Sequence, residues 1–142
     1  MRPFSRLILP SWIVDAMVEH ARRESPRECC GLLAGVIDGA GGAVSQCFPL
    51  RNDLASPTQY RTNARDLLDA NKVMRKAKLE PLAIYHSHPA SEPVPSRTDL
   101  AENTWADSVI HVIVGLQGEI PQLRAWWLEQ HGAEEAPIDM VR

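Results

Sequence analysis

The chain lacks any Cys-x-x-Cys pair, and its three cysteines, Cys29, Cys30 and Cys47, are an odd number. This argues against a disulfide framework and against a cysteine-based structural zinc site. Three small thiols bound for the interior are the expectation. There is no block of Lys or Arg, and the formal net charge of -3 speaks against nucleic-acid binding through a basic patch. No stretch reaches the roughly 20 apolar residues of a membrane helix. The short apolar run near the start is interrupted by Pro10 and Asp15, unlike a secretory signal. A cytoplasmic setting is expected. An internal repeat, a low-complexity tract and an interdomain linker are also missing.

What is present suits one domain over 1–142, with a core of about 5–129 and a charged, Pro-broken tail at 130–142 expected to fray. Hydrophobic residues make up 44% and charged residues 23% of the chain, close to the globular average, so disorder on the whole-chain scale is not expected.

Ile13, Val14, Met17, Val18 and Ala21 recur at helical spacing, which predicts a helix over 11–23, capped by Ser11 and ended by Ser25-Pro26. The run at 29–37 reads as a buried strand, 38–42 as a turn and 43–49 as the returning strand of a hairpin. A short strand is expected at 57–61. Asn63 is placed to cap a helix over 64–78 carrying Leu67, Leu68 and Met74. The segment 82–88 reads as a strand entering a proline-stiffened loop at 89–95. A shorter helix follows from Ser96 to about Trp105, then strands at 108–116 and 121–129. Helices alternating with apolar strands predict an α/β sandwich with helices packed on a central sheet.

The informative segment is 86–99. His86 and His88, two apart on a strand, project from one face and can meet one metal ion. Asp99, three residues after Ser96, is placed to bring a carboxylate to the same ion. Two histidines and one carboxylate leave a fourth position for water, the layout of a catalytic zinc site. The pattern has a plainer reading too. A lone His-x-His in a loop signifies nothing by itself, and Ser96-x-x-Asp99 fits a capping box. The two readings are compatible, because a capping serine fixes the helix start and thereby places Asp99. Glu28, just ahead of the apolar strand, is by itself a solvated charge at a strand edge.

Taken together, Glu28 in Pro26-Arg27-Glu28-Cys29-Cys30-Gly31-Leu32-Leu33-Ala34-Gly35 and the run from His86-Ser87-His88-Pro89 through Ser96 and Asp99 resemble the JAMM (MPN+) metalloprotease family, in its minimal prokaryotic form. The resemblance implies a cytidine-deaminase-like α/β/α sandwich of the JAB/MPN type. It implies one Zn2+ held by His86, His88 and Asp99. Glu28 would be the general base that takes a proton from water and passes it to the leaving amine. Ser96 would donate a hydrogen bond to the developing oxyanion. The implied partners are ubiquitin-like or sulfur-carrier proteins with a Gly-Gly tail, cut at peptide or isopeptide bonds.

Other residues read more plainly. Ser87 and Tyr85 point away from the histidines, towards support and core respectively. His111 reads as a satisfied core histidine, and His20 and His131 as exposed. Trp105, Trp126 and Trp127 read as packing residues, one of which could line a substrate groove. Arg51 and Asn52 receive no role. Three competing functions stand beside the metalloprotease: a non-catalytic MPN-type interaction module, a RadC-like DNA-associated domain, and amide cleavage of a small metabolite on the same ligands.

Overall fold

The computed structural model describes residues 2–105 and 107–142. The elements run β1 (Arg6–Pro10), α1 (Ser11–Glu24), β2 (Cys30–Asp38), β3 (Gly41–Leu50), α2 (Ala64–Ala77), β4 (Glu80–His88), α3 (Arg97–Ala101), β5 (Ile110–Gly115), β6 (Gln122–Glu129), β7 (Gly132–Ala136) and β8 (Ile138–Val141). The strands form one mixed sheet in the order β7-β6-β5-β4-β2-β3-β1-β8. The expected hairpin is present as β2–β3, turning at Gly39, whose φ of +61° suits a residue without a Cβ.

Side-chain alternation sorts the sheet into two faces. Cys29, Leu33 and Tyr85 point to one side, where Ile13, Met17 and Ala21 of α1 join the main core. Cys30, Leu32 and Ala34 point to the other, against Ala70 and Met74 of α2. Full burial of one such aliphatic side chain contributes about 1.5–3 kcal/mol, so both helices are held by their apolar stripes. This is the expected α/β sandwich, with one addition. β7 and β8 lie at opposite ends of the strand order, yet only Pro137 separates them in the chain. The sheet must therefore curl until its edges approach. Leu7 N–H donates to the Pro137 carbonyl at 3.0 Å, and Phe4 packs on Trp127 with centroids 5.3 Å apart.

Several local expectations are corrected. The tail does not fray: residues 132–141 supply both outer strands, because pairing β8 with β1 and β7 with β6 satisfies their backbones. Ser11 does not cap α1. Pro10 occupies that position with φ -63° and no side-chain hydrogen bond, and Ser11 is the first helical residue. Residues 57–61 form no strand. They lie in a loop closed by an isolated bridge between Asn52 and Thr62. α3 stops at Ala101, well before Trp105, and the Asn103 side chain accepts from the Trp105 N–H at 3.1 Å in a local turn that competes with the helix. His20 is buried, not exposed. It shares the inward stripe of α1 with Met17 and Ala21, and its Nδ1 lies 2.7 Å from the Tyr85 hydroxyl.

Candidate functional site

β4 lies between β2 and β5 at the centre of the sheet, and its end carries His86 and His88. Their shared face is the α2 side, where His86 pairs in register with Cys30. Continuing that antiparallel register by two residues puts Glu28 across from His88. The strand ends are tied there: Ser87 N–H donates to the Cys29 carbonyl at 3.2 Å, and the Ser87 hydroxyl accepts from the Cys29 N–H at 2.8 Å. Ser87 thus supports the Glu28 strand from the face opposite the histidines.

Asp99 arrives from α3. Its backbone N–H donates to the Ser96 hydroxyl at 3.0 Å, and its Oδ2 accepts from the Ser96 N–H at 2.9 Å. This capping box fixes the carboxylate. The capping box is thus observed, and it is compatible with a metal-site role for Asp99. His86 Nε2, His88 Nε2 and Asp99 Oδ2 each lie 3.1 Å from the other two, and all three residues are buried.

His88 Nδ1 is 2.8 Å from the Glu92 carbonyl, which only accepts, so Nδ1 carries the hydrogen. In the neutral ring Nε2 is then a bare lone pair. That lone pair faces a carboxylate oxygen and a second imidazole nitrogen. Three electron-rich atoms this close require a proton or a cation between them. An ion held tetrahedrally at about 2.0–2.1 Å spaces its ligand atoms about 3.3 Å apart, so the observed set fits a metal with little adjustment.

The electrostatics agree with the geometry. Burial alone would raise the Asp99 carboxyl, but hydrogen bonds from His86 and His88 outweigh it and hold the group well below the usual carboxylate range. Burial lowers His86. For His88 the same burial effect is outweighed by Asp99 and the Glu92 carbonyl, and the ring is raised. Glu28 is pushed up to about 8, chiefly by burial, with His88 opposing and Asp99 reinforcing. It is 4% exposed and its Oε1 has no hydrogen-bond partner among the described residues. The cysteines are inert by the same physics: burial pushes Cys29 to about 11 and Cys30 to about 12, far from a thiolate near neutrality.

Four residues matter more than the sequence alone indicates. Asn52 uses its whole amide: Nδ2 donates to the carbonyls of Glu28 (3.1 Å) and Gln59 (3.0 Å), and Oδ1 accepts from Leu54 N–H (3.1 Å) and Arg61 N–H (2.9 Å). Arg51 fastens the same segment to Asp66 of α2 at 2.9 Å. The loop so held stacks Tyr60 on the His86 ring, with centroids 4.6 Å apart and planes at 24°. Trp126 donates its indole N–H to the Pro93 carbonyl at 3.0 Å, pinning the loop that supplies Glu92. Its neighbour Trp127 is core, whereas Trp105 lines a cleft beside Asp99. The signals for Asn52 and Trp126 are long-range partners, so no local motif marks them. His131 is exposed and His111 buried, as expected, but neither ring nitrogen of His111 has a hydrogen-bond partner among the described residues, so the expected satisfied core histidine is corrected on that point.

Together these features define a curled α/β domain with a buried centre of two histidines and one carboxylate suited to a metal ion. The chain belongs to the prokaryotic homologues of the JAB domain, whose family model matches residues 10–129. It is 34% identical over 135 residues to the CysO-cysteine peptidase of Mycobacterium tuberculosis, covering 95% of this chain and 91% of that one. It is 37% identical over 113 residues to a probable TtuB-protein conjugate cleaving protease of Thermus thermophilus, covering 79% and 72%. A solution structure of a protein from Desulfitobacterium hafniense superposes with a TM-score of 0.88 at 31% identity, over 96% of this chain and 93% of that one. No helix among the described residues is long and apolar enough to cross a membrane.

Proposed function

We propose that this chain is a zinc metallopeptidase acting at the C-terminal tail of a ubiquitin-like or sulfur-carrier protein, on peptide or isopeptide bonds. The observation that carries this reading is the convergence of His86 Nε2, His88 Nε2 and Asp99 Oδ2 at 3.1 Å beside a buried Glu28 carboxyl. The substrate class is supported by relatives named for cleavage of CysO and TtuB conjugates.

His86, His88 and Asp99 would hold the ion. Zinc bound there supplies Lewis acidity, which polarises the scissile carbonyl and activates water. Glu28 takes the proton of the attacking water and delivers it to the leaving amine. Burial raises this carboxyl in the metal-free chain, and a cation held by His86, His88 and Asp99 would draw it back toward the ionised form that accepts a proton. The Ser96 hydroxyl accepts from Asp99 N–H and keeps its own hydrogen to donate to the oxyanion, an interaction that strengthens as charge develops. Tyr60, stacked on His86, limits rotation of that ring and keeps bulk water from it. The complete ligand set favours this reading over a non-catalytic interaction module.

The test is direct. Zinc-loaded protein is incubated with a carrier ending in Gly-Gly that is extended by a peptide or joined to a lysine side chain, and the products are weighed by mass spectrometry. Cleavage after Gly-Gly, abolished by Glu28→Gln with zinc retained, is the expected result. An uncut carrier with a stoichiometrically loaded protein would sink the proposal.

A further inference from the structure

Glu28 stands just outside β2, which begins at Cys30, so the strand ladder does not hold it. Its Oε1 has no hydrogen-bond partner among the described residues, and the carboxyl takes its place from the main chain that carries it. Three bonds fix that main chain. Glu28 N–H donates to the Ser56 carbonyl at 2.8 Å. The peptide that leaves Glu28 is gripped at both ends by side chains. Its carbonyl accepts from Asn52 Nδ2 at 3.1 Å, and its N–H, that of Cys29, donates to the Ser87 hydroxyl at 2.8 Å. The first two of these partners belong to the loop between β3 and α2. The third comes from β4, from the residue between His86 and His88.

The Ser87 bond departs from regular pairing. Continuing the β2–β4 register from Cys30 and His86 sets Cys29 opposite Ser87. Residues facing each other in a hydrogen-bonded antiparallel pair exchange two backbone bonds. Here Ser87 N–H gives one of them, to the Cys29 carbonyl at 3.2 Å, but the return bond from Cys29 N–H ends on the Ser87 hydroxyl. A side-chain atom is thus interposed between the strand end that carries Glu28 and the strand that carries both histidines. Burial makes the hydroxyl informative. Ser87 is 0% exposed and shares the core face of β4 with Tyr85. Burying a hydroxyl there carries a cost that an apolar side chain of its size does not incur. Its bond to Cys29 N–H offsets that cost and ties the strand of the base to the strand of the ligands.

We infer that Ser87 is a positioning residue: its hydroxyl, in place of a backbone carbonyl, sets the separation between Glu28 and the site formed by His86, His88 and Asp99. The inference rests on the peptidase reading above and deepens it. Ser87 touches no reacting atom, since its side chain lies on the sheet face opposite the histidines. It acts through the Glu28–Cys29 peptide. The ligands are held independently of it: β4 lies between β2 and β5, and Asp99 is fixed by its capping box. Removing the hydroxyl therefore separates two properties. The ligands keep their places, while Cys29 N–H either loses its acceptor or closes onto the Ser87 carbonyl, and Glu28 shifts with it in both cases. A displacement of about 1 Å can cost about 10²-fold in rate.

Two measurements test it. In the first, which needs no substrate, protein carrying carbon-13 in its glutamate carboxyls is titrated with zinc. The Glu28 resonance, assigned by its absence in Glu28→Gln, is followed by NMR. Zinc is expected to move it in the wild type, by less than about half that amount in Ser87→Ala at equal zinc content, and fully again in Ser87→Thr, which keeps the hydroxyl. In the second, a ubiquitin-like carrier ending in Gly-Gly and extended by a peptide is the substrate. Ser87→Ala should lose about tenfold in kcat, with KM within about twofold and zinc retention unchanged, and Ser87→Thr should recover to within about threefold of wild type. Equal movement of the resonance in wild type and Ser87→Ala, or none in wild type, would overturn the inference. So would a kcat loss below about threefold in Ser87→Ala, a loss accompanied by weaker zinc retention, or a folded Ser87→Thr as impaired as Ser87→Ala. The expected resonance pattern in a protein that cuts no carrier would uphold the positioning and sink the peptidase reading. Carrier cleavage insensitive to Ser87→Ala would do the reverse.

Discussion

The Asn52 amide donates to the backbone carbonyl of Glu28 at 3.1 Å, so the loop between β3 and α2 and the proposed general base are held by one side chain. The same amide closes the loop on itself through Gln59, Leu54 and Arg61. Asn52→Asp keeps the acceptor for the two backbone N–H groups but sets a carboxylate oxygen against the carbonyls of Glu28 and Gln59. We predict destabilisation of about 1–3 kcal/mol in chemical denaturation, with cleavage reduced further than folding accounts for. A variant as stable and active as the wild type would show that the loop positions nothing.

Glu28→Gln preserves shape while removing proton transfer. The expected outcome is a loss of about 10²–10⁴-fold in kcat, with zinc content unchanged by elemental analysis. The amide also cannot ionise, so any residual rate should lose the pH dependence that the wild-type carboxyl imposes. A rate within threefold of wild type would remove Glu28 from the chemistry.

Removing the proposed ion tests its holders. His88→Ala deletes one ligand and the hydrogen bond to Glu92, and should purify with far less than one zinc per chain. Wild-type protein treated with a chelator should melt lower than the loaded form, because a ligand that binds only the folded state stabilises it by mass action. Equal melting temperatures for loaded and stripped protein, with no metal recovered from either, would leave the three side chains as a buried polar cluster only.

The parts of this molecule that read well from sequence are those governed by short-range rules. Alternation along β4 puts His86 and His88 on one face, and the Ser96–Asp99 spacing gives the capping box that delivers the carboxylate. The helix of 64–77 is announced by Asn63, whose side chain accepts from Asp66 N–H at 3.0 Å. What escapes local reading depends on elements far apart in the chain. His20 faces inward because α1 docks against Tyr85, and Asn52 matters because β3 returns beside Glu28. The outer strands β7 and β8 look like a charged tail until the sheet curls to receive them. Most of their side chains are exposed, with only Ala136 and Ile138 turned to the core, so backbone pairing does most to make them strands.

His20 carries a pH signature separate from the metal centre. Burial depresses its pKa, with Arg23 adding to the effect and Glu24 opposing it, while its Nδ1 is engaged with Tyr85. A depressed base is neutral when folded and binds a proton more readily when unfolded. Its stabilising contribution is therefore present above the unfolded value of about 6.5 and is lost as pH falls through and below it. The stability advantage of wild type over His20→Gln should shrink between about pH 7 and 5, measured as a difference in urea midpoints. A constant difference across that range would refute the assignment.

Trp126 offers the sharpest test of support from a distance. Its indole N–H holds the Pro93 carbonyl, and the loop it anchors supplies the Glu92 carbonyl that fixes the His88 tautomer. Gly115 allows this loop to come close, since a Cβ there would lie 2.8 Å from the Pro93 ring. Trp126→Phe retains an aromatic ring for the cluster with Ile113 and Leu128 but deletes the donor. Groups that orient metal ligands typically contribute about 10–100-fold in affinity or activity. One step further out, we expect the lower end of that range, read as weaker zinc retention against a competing chelator. Gly115→Ala should weaken retention through the same loop by pushing Pro93 away while Trp126 stays intact. If both variants hold zinc as tightly as wild type, the loop is a cover and His88 owes its orientation to β4 alone.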